Sequence, residues 1–228
     1  MPVRLIIFDL DGTLVDSSVD ITNALNYAVE PYGIRPLKVE DTIKMVGEGI
    51  SRLIEKLIAG SFTGSVAGLE PGSMKDALTE RFIEHYTAHI IDYTRAYPGV
   101  RETLEGLSGY KKAVISNKRE ALSKKTLEGL ELMRFFNYVV GSDTTPEKKP
   151  SPVPVLKVLN ELSVIPEEAV MVGDSNYDVD AGKAAGVTTV AVTYGYKPVE
   201  MIRHADYMID RMGGLSELLE RINSMSGQ

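Results

Sequence analysis

Short apolar runs that stop abruptly at small or polar residues set the tightest constraint on how this chain folds. They are Val3–Phe8, Lys112–Ile115, Tyr138–Val140, Ala169–Val172 and Thr188–Val192, with Tyr207–Ile209 a weaker example. Runs of this length without polar alternation suit strands buried on both faces of a parallel sheet. Helical patterns of ordinary crossover length separate the later runs. Val100, Thr103, Leu104 and Leu107 fall on one helix face, and Val155, Leu156, Leu159 and Leu162 on another. Strand alternating with helix predicts an α/β fold, a Rossmann-like parallel sheet covered on both sides.

One interval breaks the rhythm. Roughly 100 residues separate Phe8 from Lys112, whereas a parallel crossover needs about a dozen or more. Within the gap Ile21, Ala24, Leu25, Ala28 and Val29 form an apolar stripe at helical spacing. Leu53, Ile54, Leu57 and Ile58 form a second, and Leu78, Phe82 and Ile83 a third, with a loop-like stretch at Gly60–Gly72. The expectation is a small helical domain, residues 18–92, inserted into a core made of residues 1–17 and 93–228, with hinges near Val15–Ser18 and Tyr93–Pro98.

Composition excludes several classes. The formal net charge is −7, which gives no electrostatic support to a general nucleic-acid or anionic-membrane role. The chain has no cysteine, hence no disulfide framework and no thiolate metal site. The apolar start, Leu5-Ile6-Ile7-Phe8, is too short for a signal peptide and runs at once into acidic residues. No run approaches the ~18 apolar residues of a membrane span. A cytoplasmic protein is expected, and nothing decides between monomer and homodimer.

The chemistry-bearing residues gather where the runs end. The first strand leads into Asp9-Leu10-Asp11-Gly12-Thr13-Leu14-Val15-Asp16-Ser17. Asp-Gly alone suits a turn or capped loop, but no alternating partner strand follows to make a hairpin. Two carboxylates at i and i+2 on an extended tip can converge, one as nucleophile and one as general acid. The second strand ends in Ser116-Asn117, able to hydrogen-bond an anion, although in isolation the pair reads as a cap or turn. Lys149 in Lys148-Lys149-Pro150-Ser151-Pro152 would alone read as a solvated charge. In Gly173-Asp174-Ser175-Asn176-Tyr177-Asp178, two acids at a strand tip could hold a hard cation, or Asp178 could cap a helix Val179–Ala185.

In order and content these segments resemble the four motifs of the haloacid dehalogenase superfamily. Asp9 and Asp11 match its first motif, Ser116 its second, Lys149 its third, and Asp174 with Asp178 its fourth. The stretches Tyr97-Pro98-Gly99-Val100, Lys149-Pro150-Ser151-Pro152, Val172-Gly173-Asp174-Ser175 and Thr193-Tyr194-Gly195-Tyr196 resemble the family's phosphoglycolate phosphatase branch. The resemblance implies an Mg²⁺-dependent phosphatase acting on a small phosphorylated metabolite, with 2-phosphoglycolate the first expectation. Asp9 would be the covalent nucleophile and Asp11 the general acid, then base. Mg²⁺ would sit on Asp9, the backbone carbonyl of Asp11 and Asp174. Lys149 would neutralise charge, and Ser116 and Asn117 would hold phosphoryl oxygens. Thr13 and Asp178 would support the metal ligands and the lysine. The inserted helices would be a cap that closes over the site, with Gly47-Glu48-Gly49 and Arg52 facing substrate, although a plain helix–helix turn suits that glycine-flanked segment as well.

Other readings compete. A dehalogenase would leave Asp11 without a task. A sugar phosphomutase of the β-phosphoglucomutase type shares the core residues, and a nucleotide phosphatase or pyrophosphatase does too. Phosphonate hydrolysis would need a Schiff-base lysine such as Lys44 or Lys56. His85 and His89, at i and i+4, read as helix surface rather than a metal pair. From a different class, the chain could be a non-catalytic binding module on the same fold, which the presence of all four motifs disfavours.

Overall fold

The structure, a computed structural model, describes residues 1–61 and 71–225. In chain order its regular elements begin with β1 (Leu5–Phe8) and a two-residue β2 (Val15–Asp16), followed by α1 (Ser18–Val29), α2 (Val39–Met45), α3 (Ile50–Ser61) and α4 (Pro71–Ala88). A second two-residue strand, β3 (Arg95–Ala96), leads to α5 (Val100–Gly106), β4 (Lys111–Ile115), α6 (Glu120–Gly129) and β5 (Tyr138–Val140). Then come α7 (Val153–Glu161), β6 (Ala169–Gly173), α8 (Asn176–Ala184), β7 (Thr188–Val192), α9 (Val199–Ile202), β8 (Tyr207–Ile209) and α10 (Gly214–Met225).

The chain divides into two compact units, Met1–Asp16 with Arg95–Gln228, and Ser17–Thr94. The first unit carries a six-stranded, all-parallel sheet in the order β5-β4-β1-β6-β7-β8. Numbered among themselves these strands read 3-2-1-4-5-6, the doubly wound order. The chain builds outward from β1 in one direction, then returns to build outward in the other, so the crevice at the switch lies beyond the carboxyl ends of β1, β4 and β6. Strand register is set by Phe8, which pairs with Val114 on one side and Val172 on the other. Each face of β1 feeds a different core. Ile6 and Phe8 pack with Val100, Leu104 and Leu107 of the α5 segment and with Leu215 and Leu219 of α10. Leu5 and Ile7 pack with Val155, Val158 and Leu159 of α7 and Ala181 of α8.

The structure corrects one expected helix face and one expected helix start. On α7 the buried set is Val155, Val158 and Leu159, while Leu156 is 46% exposed. Positions i, i+3 and i+4 share a face, and i+1 points about 100° away. Helix α8 starts at Asn176 rather than Val179, for the reason given below.

In the second unit α1 and α4 present facing apolar stripes. Ile21, Ala24, Leu25, Ala28 and Val29 are buried on α1, and Met74, Leu78, Phe82 and Tyr86 on α4 at four-residue steps; Ile83 is only partly covered. Asp20 explains why the unit extends to Thr94. Its buried carboxylate accepts the N–H groups of Tyr93 (3.1 Å) and Thr94 (2.8 Å) and the Thr94 hydroxyl (2.7 Å), tying both ends of the segment to α1. The middle of the loop expected at Gly60–Gly72, residues 62–70, lies outside the described residues; Gly60 and Ser61 close α3, and Pro71 and Gly72 open α4. At the expected hinges, Val15–Asp16 and Arg95–Ala96 pair as a short antiparallel ladder in the first unit, which periodicity over two residues cannot reveal. No helix among the described residues is long and apolar enough to cross a membrane.

Candidate active site

Asp9 follows β1 directly. Its N–H donates to the Val172 carbonyl at 2.9 Å, so the β1–β6 ladder fixes its backbone. Its Oδ1 accepts from Lys149 Nζ at 2.7 Å, and the same ammonium donates to Asp178 Oδ1 at 2.6 Å and to the Ile115 carbonyl, the last of β4, at 2.7 Å. An ammonium has three N–H bonds, and here all three are spent. Lys149 is 3% exposed, so it is a buried counter-charge, not the solvated residue its local sequence suggests. Asn117 Nδ2 donates to the Lys149 carbonyl at 3.0 Å and ties the β4 tip to the lysine's loop.

Asp178 serves two neighbours. Its Oδ2 accepts from the Ser175 N–H (3.0 Å) and the Ser175 hydroxyl (2.6 Å), a capping-box arrangement that begins α8 at Asn176. The cap is therefore Ser175, and Asp178 sits in the first turn, not at the cap. Its other oxygen is the one Lys149 takes. Asp174, at the β6 tip and 2% exposed, accepts from Thr13 Oγ1 (3.3 Å) and from the Tyr196 N–H (2.7 Å). Two glycines make this possible. Gly12 has φ +90°, and a Cβ there would lie 2.4 Å from Asp174 Oδ2; a Cβ on Gly195 would lie 2.2 Å from Asp174 Cβ. The Tyr194 hydroxyl donates to the Thr13 carbonyl at 2.8 Å, joining the loop after β7 to the loop after β1.

Asp11 has a partner that the sequence reading did not name. Lys118 Nζ donates to Asp11 Oδ1 at 2.6 Å, with side chains 7% and 11% exposed. Ser116 follows β4; its N–H donates to the Val140 carbonyl (2.9 Å), and its hydroxyl accepts the Lys118 N–H (3.2 Å), so it also makes the turn its local sequence suggested.

The acids do not balance their surroundings. Ligand atoms of Asp9, Asp174 and Asp178 lie within 4.8 Å of one another, all three residues buried. Burial, then the charge of Asp178, pushes the Asp9 carboxyl well above the usual range. Burial and Asp178 raise Asp174 to about 7. Burial alone would lower Lys149, but Asp178 and Asp9 outweigh it and hold the ammonium firmly protonated. A group of buried carboxylates exceeding its lysine in charge, with oxygen lone pairs to spare, fits a hard divalent cation. Asp9 accepts one hydrogen bond and Asp174 two, one on each oxygen, against three on Asp178, so the first two keep more lone pairs for an ion.

Two of the expected site residues lie in the second unit. Gly47, with φ +121°, is in the α2–α3 connection, and Arg52 is in the first turn of α3. The Arg52 guanidinium pairs with Glu55 (2.5 Å) and Glu48 (3.6 Å). Lys44 is exposed and pairs with Asp41 (3.0 Å), and Lys56 pairs with Glu48, so neither has the desolvated setting of a Schiff-base lysine. The rings of His85, on α4, and His89, just past its end, lie 4.4 Å apart at a 31° tilt, and His89 pairs with Asp92.

The doubly wound sheet places this buried aspartate–lysine–aspartate group at its switch point, where open α/β proteins bind their ligands. The chain belongs to the haloacid dehalogenase-like hydrolases, whose family model matches residues 6–192. It is 39% identical to a phosphoglycolate phosphatase of Aquifex aeolicus over 96% of this chain and 97% of that one, and 38% identical to a phosphoglycolate phosphatase of Chromobacterium violaceum over the same shares. Among solved structures it resembles a predicted phosphoglycolate phosphatase of Haemophilus somnus, with TM-score 0.89 and 28% identity over 95% of this chain and 97% of that one.

What the motif reading left out was Lys118 and the Gly195–Tyr196 peptide. Lys118 follows Ser116-Asn117 directly, and Gly195-Tyr196 lies in a stretch that carries the family resemblance. Nothing in the spacing of either says which carboxylate it meets.

Proposed function

We propose that this hydrolase is an Mg²⁺-dependent phosphatase that cleaves a small phosphate monoester, 2-phosphoglycolate first among candidates, through an aspartyl-phosphate on Asp9. The observation that carries the reading is Asp9 itself, anchored by backbone at a strand tip with Lys149 at 2.7 Å. Relatives covering nearly the full length of both chains bear the phosphoglycolate phosphatase name, which supports the choice of substrate.

In the first step an Asp9 carboxylate oxygen attacks phosphorus, the P–O bond to the leaving group breaks, and Asp11 gives its proton to the departing alkoxide. In the second, Asp11 takes a proton from water as the water oxygen attacks phosphorus and frees Asp9 and inorganic phosphate. Lys149 offsets the charge of Asp9 and Asp178 so that an anionic phosphoryl group can approach. Ser116 and the Asn117 N–H hold phosphoryl oxygens. Asp9, the Asp11 carbonyl and Asp174 would hold Mg²⁺, which supplies positive charge against the phosphoryl oxygens, the main requirement of phosphoryl transfer. Thr13 orients Asp174, and Asp178 orients Lys149. Arg52, with Gly47 in the connection that precedes α3, is proposed to read the substrate's carboxylate.

The test is release of inorganic phosphate from a panel of phosphorylated metabolites with and without Mg²⁺, scored by kcat/KM. The proposal expects 2-phosphoglycolate to lead and EDTA to abolish turnover. Isomerisation of a sugar phosphate without phosphate release would replace it with the mutase reading.

A further inference from the structure

The mechanism above gives Lys118 no task, although it is a nearly buried lysine bonded to the proposed proton carrier. Its partner lies 107 residues away in sequence, and the 2.6 Å contact is between side chains 7% and 11% exposed, where solvent and salt screen little. The backbone beneath it is fixed on both sides. The Lys118 N–H donates to Ser116 Oγ at 3.2 Å, and the Lys118 carbonyl accepts the Ser142 N–H at 2.9 Å. A long flexible side chain is thus aimed from an anchored base at one carboxylate oxygen. Lys149 cannot do the same work, because its three N–H bonds go to Asp9, Asp178 and Ile115.

We propose that Lys118 is a positioning residue for proton transfer: by holding Asp11 Oδ1 it fixes the orientation in which the Asp11 carboxyl group meets the leaving-group oxygen. This rests on the reading of Asp11 as general acid and base. It separates two lysines by task, Lys149 serving the nucleophile and Lys118 the proton carrier. General acid catalysis contributes about 10²–10⁴-fold where the leaving group needs a proton and little where it does not. A residue that acts only through Asp11 must follow the same pattern.

The experiment compares the parent enzyme with Lys118→Met, Lys118→Arg, Asp11→Asn and the Asp11→Asn/Lys118→Met double variant. The probes are 2-phosphoglycolate, glycerol 2-phosphate and para-nitrophenyl phosphate, whose leaving group departs unprotonated. Lys118→Met is expected to lose about tenfold or more in kcat on both alkyl phosphates and less than about threefold on the aryl ester, with KM nearly unchanged. Lys118→Arg should recover part of the loss, and in the Asp11→Asn background Lys118→Met should add nothing, since coupled residues are not additive. If Lys118→Met does not fold, Lys118→Gln, which keeps a donor, takes its place. Equal losses on all three probes would overturn the proposal in favour of a structural role. A loss confined to KM for 2-phosphoglycolate, or one that persists without Asp11, would overturn it in favour of a lysine that grips the substrate's carboxylate. Full activity of Asp11→Asn on alkyl phosphates is a different failure, for it removes the acid reading itself and with it the lysine's task.

Discussion

The sheet buries a lysine at each of its ends, and the two are managed in opposite ways. Near the amino end, Lys112 is 5% exposed and donates to the Leu107 carbonyl (2.5 Å) and the Tyr110 carbonyl (3.2 Å). Its partners are neutral carbonyls at the close of α5, and burial lowers its pKa. At the carboxyl end, Lys149 is as deeply buried, but two of its partners are carboxylates and a third carboxylate, Asp174, lies within reach of the same group. The amino end uses its lysine to finish a helix. The carboxyl end gathers three carboxylates around one lysine, and burial together with this surplus of acid raises the pKa of Asp9 and Asp174.

The sharpest way to break this contrast is to remove the proposed nucleophile. Asp9→Asn should lower kcat by more than about a hundredfold, because an amide cannot form the covalent intermediate, while circular dichroism and the thermal midpoint stay near the parent's. Retained turnover, with contamination excluded, would move the nucleophile elsewhere.

Next comes the pair of lysines. Lys149→Met leaves Asp9 and Asp178 buried without their ammonium and should cost about 3–5 kcal/mol of stability together with activity. Lys112→Met loses only bonds to carbonyls and should cost about 1–3 kcal/mol with kcat unchanged. Urea melts and kinetics on both variants check this; equal stability losses would erase the distinction between the two ends.

A smaller effect follows from Asp174. Its folded pKa is near 7 against 3.8 for the free side chain. Between those values the folded state holds a proton that the unfolded state has released, so its contribution to stability falls as pH rises through that window. Metal-free protein should therefore show a thermal midpoint that declines between about pH 4 and pH 7, and Asp174→Asn should flatten the decline. Mg²⁺ should restore the parent at pH 8 and leave the variant unmoved. A steeper decline in the variant would contradict the charge surplus.

Arg52 gives the smallest test and belongs with the balanced kind of charge, since Glu48 and Glu55 already answer it. The loss of one charge-assisted hydrogen bond to the substrate should be partly offset here. Arg52→Ala should then raise KM for 2-phosphoglycolate by about tenfold or less and change para-nitrophenyl phosphate hydrolysis little. Equal changes on both substrates would make the segment a helix start and nothing more.

The contrast also marks what a sequence makes legible. Strand runs such as Thr188–Val192 were readable because burial on both faces leaves an uninterrupted apolar signature. That Asp9 and Asp174 meet is legible because strand tips in a parallel sheet converge on one crevice; Lys149 lies in the loop between β5 and α7, and only the family resemblance pointed to it. Leu156 misled because a leucine beside Val155 reads as apolar whichever way it points. The start of α8 at Asn176, capped by Ser175, is hidden in the sequence because Asp178 bonds backward to the cap as well as across to Lys149. Lys118 stayed hidden because its partner is set by tertiary distance: nothing in Ser116-Asn117-Lys118 says that Asp11 lies at 2.6 Å.

The hold on Asp174 has a consequence for how this molecule comes to exist. The carboxylate is gripped by Thr13 from near the start of the chain and by the Tyr196 amide from well past its middle, and Gly12 and Gly195 both leave room for it. No contiguous fragment short of that span contains the arrangement. Pairings of such long sequence separation form late, after loop-closure entropy has been overcome. A ribosome must therefore release nearly the whole sheet before the first competent molecule appears, and turnover in a nascent or proteolysed sample reports completion of the sheet rather than the presence of any one motif.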